Sequence, residues 1–256
     1  MTHPIKTEDF KKKLENLIKI NSKISTNSKR KVELLAKLDD DSKIISDKKS
    51  IPGKPKLTKI KATTEVAFQR AIYNGISSKL YKNTEVNWID IEIPVVLGEK
   101  GRRHCIDIIG ITSDKNNLVL CELKYNGKTK SEDSPTYAIF ELLIYYYFLR
   151  CNFKNLDIHN VYHKLETTKN FSWNAFLSNH IPKLLIAANN SYWEFWFGKK
   201  KINKNDLLKE VKEFEKEFGV EIELFETSND DFRNQKRDSL DYEPKVISNV
   251  WTKICN

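Results

Sequence analysis

The chain has 256 residues, enough to bury a full core, and 31% charged with 11% aromatic residues excludes both a disordered chain and a membrane protein. No stretch approaches the roughly 20 apolar residues that cross a bilayer. The net charge of +9 is an N-terminal property: residues 1–60 hold 16 Lys/Arg against 8 Asp/Glu, and the rest of the chain holds 28 against 27.

That basic segment is either an arm that lies along phosphates or a solubilising lysine-rich stretch. The first residues, MTHPIKTEDFKKK, contain no apolar signal core. Cys105, Cys121, Cys151 and Cys255 show no CxxC or CxxH spacing and read as small buried residues in a reducing compartment. The expectation is a cytoplasmic protein with no membrane association.

In chain order, 7–20 places Phe10, Leu14, Leu17 and Ile18 on one stripe of an amphipathic helix. A second short helix is expected over 28–39. The charged, proline-containing stretch 40–58 reads as a linker. The chain thus divides into a basic helical N-terminal region at 1–58 and a main domain at 59–256. The domain opens with a helical segment at 61–81, capped by Thr63 or Thr64 and interrupted near Gly75. Residues 85–96 alternate Ile89, Ile91, Ile93 and Val95 as a half-buried strand, with Asp90 and Glu92 on its solvated face.

A tight connection at 98–101 leads to a strand at 103–112, and a polar turn leads to another at 117–125. These three strands read as an antiparallel meander. Ser134-Pro135 starts a long helix over 134–151, whose apolar run 138–149 is interrupted by Glu141. A strand is expected at 182–189, and 191–198 (SYWEFWFG) reads as a further strand or hairpin arm carrying half-buried Trp193 and Trp196. A charged helix near 204–218 and a strand at 220–227 follow. The tyrosines Tyr137, Tyr145, Tyr146 and Tyr147 read as core residues of the long helix. His159 and His163 have i, i+4 spacing, but the segment is polar and supplies no third ligand.

The order of elements points to an α/β fold with a central mixed sheet flanked by helices. Within it, Asp107, Glu122 and Lys124 are out of place. Each stands in the middle of an apolar strand, where an unpaired carboxylate costs several kcal/mol. Glu122 and Lys124 share one strand face, and Asp107 can meet them from the neighbouring strand. Two carboxylates and a backbone carbonyl, that of Leu123, make a hard oxygen site of the kind Mg²⁺ prefers. A lysine beside them can orient or deprotonate a water, or stabilise charge on a phosphoryl group.

A helix with a glutamate, an Asp strand, a Glu-x-Lys strand and a following helix together resemble the PD-(D/E)XK nuclease superfamily, over about residues 60–150. Asp107 matches the motif aspartate, Glu122 and Lys124 match the E-x-K pair, and Glu65 matches the glutamate of the first helix. Ala138, Leu142 and Tyr145 stand at the spacings of that superfamily's Ala-x-x-Gln-Leu-x-x-x-Tyr helix. Two positions depart from the pattern: Ile106 replaces proline, and Glu141 stands where glutamine is usual. A carboxylate at 141 donates no amide hydrogen bond but can pair with Lys124 or join the metal site.

The resemblance implies a restriction-endonuclease-like core, Mg²⁺ or Mn²⁺ held by Asp107, Glu122, Glu65 and Leu123, and support from Glu141 and Tyr145. It implies hydrolysis of DNA in restriction, phage defence or repair, by a homodimer, for which the helical N-terminus could supply the contact. The alternatives are an inactive nucleic-acid-binding or assembly protein on the same fold, and a transposition-type endonuclease subunit that needs a partner.

Overall fold

The computed structural model describes residues 6–20, 64–80, 84–97, 103–114, 117–127, 133–227 and 250–254. The helix expected at 28–39, the linker at 40–58, the connection at 98–101 and most of the tail beyond 227 lie outside these residues.

Among the described residues the strands form one seven-stranded mixed sheet in chain order. They are β1 (Ser77–Lys79), β2 (Glu85–Leu97), β3 (Arg103–Thr112), β4 (Leu118–Lys124), β5 (Lys183–Asn189), β6 (Glu221–Thr227) and β7 (Trp251–Lys253). β1 to β4 run antiparallel, β4 to β6 run parallel, and β7 returns antiparallel to β6. Parallel neighbours need long crossovers. Helices supply them here, so the fold is α/β with helices on both faces.

The helices are α1 (Thr7–Ile20), α2 (Glu65–Asn74), α3 (Pro135–Ile158), α4 (Trp173–Leu177), α5 (Asn190–Glu194) and α6 (Lys204–Phe218). Their starts follow local chemistry. Thr64 Oγ1 accepts from Ala67 N at 3.3 Å, and Ser134 Oγ accepts from Tyr137 N at 3.1 Å with Pro135 in the first turn. α3 is buried on every side from Pro135 to Leu149, as expected of a helix with no polar face. It runs to Ile158, beyond the expected end at 151, because Asn152 and Leu156 are also buried.

α3 lies between the sheet and two outer helices. From α1, Phe10 meets Tyr146, Tyr147 and Phe218 with ring centroids 5.6, 6.1 and 4.9 Å apart. Phe10 and Leu14 are fully buried in this larger core. Phe10 and Leu14 of α1 are therefore spent inside their own chain, with Leu17 packed against the same core.

A smaller core fills the other face of the sheet around Phe68, Ala71 and Ile72 of α2. The sheet rolls around this helix until its ends meet. Lys79 bridges to Val250, and the rings of Trp88 and Trp251 lie 5.4 Å apart. β2 lies close against Gly110 of β3. A methyl group there would lie 2.8 Å from the Asn87 carbonyl oxygen and 2.5 Å from a Val86 methyl.

Three local expectations are corrected. The segment 191–198 is helical: α5 runs into a single π-helical turn at Phe195–Lys199. Its aromatics pack at helical spacing, with Trp193 stacked on Phe197 at 5.5 Å and 16° and Tyr192 6.3 Å from Trp196. In β2 a bulge between Trp88 and Asp90 breaks the alternation, so Ile91 joins the α2 core while Ile89 and Ile93 face α3. Asp90 is consequently buried rather than solvated, accepting from Tyr162 Oη and from Ile91 N, each at 2.8 Å. Glu92 is exposed as expected, with φ at 52°.

Gly110→Ala should destabilise the fold by about 1–3 kcal/mol through overpacking. Thermal unfolding followed by circular dichroism should show a Tm lowered by several degrees. An unchanged Tm would mean that β2 does not press on β3 at this point.

Candidate active site

The site lies where β3 leaves β4. Residue pairing between the two strands runs from Ile111 with Leu118 to Ile108 with Cys121 and then stops. The next residue of β3 is Asp107. Its carboxylate takes the place of the missing ladder bond, with Oδ2 accepting from Leu123 N at 2.7 Å. Its carbonyl oxygen is claimed from α2, where Gln69 Nε2 donates at 2.6 Å, and the same nitrogen lies 3.4 Å from Asp107 Oδ1. Two backbone groups freed by the splay, Leu123 N–H and the Asp107 carbonyl, thus find side-chain partners. On the other side of β3, Glu92 stands opposite Asp107, between the pairs Ile91–Ile108 and Ile93–Ile106.

β4 is a central strand buried along its whole length. Glu122 and Lys124 project from it toward α3, on the side of Leu118 and Leu120. Lys124 Nζ donates to Glu122 Oε1 at 2.8 Å and to Glu141 Oε2 at 3.2 Å, and Asp133 Oδ2 lies 3.5 Å away. Lys124 and Glu141 are 2% and 0% exposed, so this is a dry ion-pair network and not a surface pair. Tyr145, one turn along α3, donates its hydroxyl to Glu141 Oε1 at 2.7 Å. Glu65, in the first turn of α2, accepts from Tyr125 N at 3.3 Å just beyond β4. Asn189 reciprocally bonds Asn126 at 2.9 and 2.8 Å, extending the β4–β5 contact past the strand ends. Tyr192 of α5 closes the rim, donating to the Asp133 carbonyl at 2.9 Å.

The residues expected from sequence therefore gather in one place: Asp107, Glu122, Lys124 and Glu65, with Glu141 and Tyr145 behind them. Sequence reading missed Gln69, Asp133, Asn126, Asn189 and Tyr192. Gln69 carried a signal, since it follows Glu65 at i+4 on one face of α2. The other four come together only through the parallel β4–β5–α5 connection. The histidines form no site, because His159 ends α3 while His163 faces the Phe171 carbonyl at 2.9 Å from a separate 3₁₀ turn.

Among the described residues, five carboxylates, those of Glu65, Asp107, Glu122, Asp133 and Glu141, surround a single ammonium, that of Lys124. Burial, then the Glu65 charge, push the Asp107 carboxyl up to about 8. Burial and Asp107 hold Glu122 well above the usual carboxylate range, and burial raises Glu65 as well. Burial alone would lower Lys124, but Glu122, Glu141, Glu65 and Asp133 together outweigh it and hold the ammonium firmly protonated. The cluster is short of positive charge.

One atom makes the shortage specific. Glu122 Oε2 is shut off from solvent and has no hydrogen-bond partner among the described residues. A dry carboxylate oxygen without a partner is costly, and it suits a hard cation that shares the Asp107 oxygens. Among the described residues no three acidic, histidine or cysteine side chains already enclose an ion position. Lys124 takes up Glu122 Oε1 instead.

Comparison with protein-family models, curated proteins and solved structures finds no match to this chain. The class that fold and site define is an α/β domain with an acidic cluster at the carboxyl end of a central strand. Among the described residues no helix is long and apolar enough to cross a membrane.

The raised Asp107 pKa sets a direction for stability. A carboxyl raised from 3.8 to about 8 on folding stabilises the fold at low pH and loses that contribution as pH rises through about 8. In a chelated protein, Asp107→Asn should therefore gain Tm over the wild type as pH rises from about 5 to 8, with the difference level above about 9. Paired melting curves across this range would show it. A difference independent of pH would mean that Asp107 is ionised throughout.

Proposed function

We propose that this protein is a metal-dependent endonuclease that hydrolyses phosphodiester bonds of DNA. The observation that carries the reading is the convergence of Asp107, Glu122 and Lys124 where β3 splays from β4, with one oxygen of Glu122 dry and unpaired. The order of elements around this point resembles the restriction-endonuclease-like core of the PD-(D/E)XK superfamily. The excess of Lys/Arg in residues 1–60 supports a polyanionic substrate. A homodimer, restriction, defence or repair as the setting, and a cytoplasmic location all belong to this reading by analogy.

Asp107, Glu122, Glu65 and the Leu123 carbonyl would hold Mg²⁺ or Mn²⁺. When bound, the cation supplies a Lewis acid to a phosphoryl oxygen and makes a water more acidic. The chain's own groups do the rest. Asp107 is aimed by Leu123 N and Gln69, and Glu65 is tied to Tyr125 N. In hydrolysis a water oxygen bonds to phosphorus as one P–O ester bond breaks, and the water's proton reaches the departing sugar oxygen through solvent. Lys124, held protonated by its acidic neighbours, stabilises the charge that builds on phosphorus.

Cleavage of plasmid DNA should require Mg²⁺ or Mn²⁺. Asp107→Ala, Glu122→Ala and Lys124→Ala should each reduce it at least about 100-fold with circular dichroism unchanged. Full activity in all three variants would rule out this site.

One observation favours a second reading, a nucleic-acid-binding or assembly protein on the same fold: three carboxylates hold Lys124. Calorimetry separates the two, since a catalytic site takes up Mg²⁺ in a Glu122-dependent way and a retired one does not. The third reading, a transposition-type subunit, keeps the site and differs in needing a partner protein before it cleaves.

A further inference from the structure

We propose that Glu141 is a positioning residue, the anion on α3 that receives Lys124 when a divalent cation engages Glu122. The inference rests on the metal-site reading above and assigns a role to the residue that departs from the superfamily pattern.

Two demands on Glu122 conflict. Glu122 is the buried carboxylate that a cation needs, yet one of its two oxygens already holds Lys124 at 2.8 Å. The lysine is 2% exposed, so it cannot retreat into water. Releasing Glu122 with no other anion in reach would strand a buried ammonium, a loss of several kcal/mol. Among the described residues two other anions pair with Lys124. Asp133 lies 3.5 Å away on the segment before α3, with its side chain 13% exposed. Glu141 lies 3.2 Å away, fully buried.

Glu141 is fixed for the task. Its second oxygen accepts the Tyr145 hydroxyl at 2.7 Å from the next turn of the same helix. The carboxylate therefore cannot swing toward the cation without giving up a buried hydrogen bond. A glutamine at this position would keep the shape and could still accept from Tyr145, but it would offer Lys124 no charge. Lys124 would then stay on Glu122 and compete with the incoming ion. Glu141 thus acts on cation binding through Lys124.

Mn²⁺ titration of the full chain, read by calorimetry or by the resonance of free Mn²⁺, tests this in a double-mutant cycle. Glu141→Gln should weaken binding about 10- to 100-fold, the usual effect of removing a partner one step from the ligands. In a Lys124→Met background the same substitution should change almost nothing. An equal loss in both backgrounds would overturn the proposal, because Glu141 would then act as a ligand or through its charge alone. No loss from Glu141→Gln would overturn it as well.

If Lys124→Met does not fold by circular dichroism, Tyr145→Phe replaces it. That variant loosens Glu141 and should weaken Mn²⁺ binding in the same direction by a smaller factor, and unchanged binding would overturn the proposal. A wild-type chain that takes up no Mn²⁺ would sink the metal-site reading itself. Wild-type binding with losses independent of Lys124 would sink only this inference.

Discussion

The ammonium of Lys124, closed off from water among five carboxylates, is the constraint around which this molecule is arranged. No folding requirement calls for it. An apolar residue at 122, 124 or 141 would pack at least as well, and replacing buried ion pairs by hydrophobic groups is often neutral or stabilising. The network is nonetheless satisfied with care. Glu141 has Tyr145 and Lys124, and Asp107 has Leu123 N and Gln69, whereas Glu122 Oε2 is buried with no hydrogen-bond partner among the described residues. That oxygen, amid excess negative charge, supports the proposed cation site.

The scaffold explains how such a cluster is held. The end of the β3–β4 ladder opens the space, the parallel β4–β5 pair carries the strand ends to one edge, and α3 closes the space from above. α3 can present Glu141 at a fixed height because its surface is buried on every side by the sheet, α1 and α6. The roll of the sheet around α2 brings Glu65 and Gln69 to the opposite rim. Helices on both faces are therefore part of the site's construction.

Much of this was legible in the sequence, for identifiable reasons. Thr64 and Ser134 declared helix starts through their hydroxyls. Asp107, Glu122 and Lys124 stood out because charge inside an apolar strand has few explanations, and their face followed from strand alternation. What stayed hidden depended on geometry that alternation does not encode. The bulge before Asp90 reversed the faces of β2 and buried an acid expected in solvent. The aromatics of 191–198 satisfy a period of two and a helical period equally, and the contacts Trp193–Phe197 and Tyr192–Trp196 decide for the helix. β1 and β7 have three residues each, too short for any pattern, and exist because the rolled sheet brings Lys79 beside Val250. Asp133 joins the site from the segment before α3, and Asn189 from the end of β5, far away in the chain.

The departure at Glu141 links the two competing functions. A charge there either retires the lysine or gives it a resting place while Glu122 serves a cation, and the Tyr145 bond favours a built resting place. Both outcomes turn on where a cation sits. The most direct measurement is the anomalous scattering of Mn²⁺ diffused into crystals of the protein. The account predicts one dominant peak between Asp107 and Glu122, with Lys124 moved onto Glu141. No peak there, with Lys124 still on Glu122 and Mn²⁺ only at surface carboxylates, would contradict it.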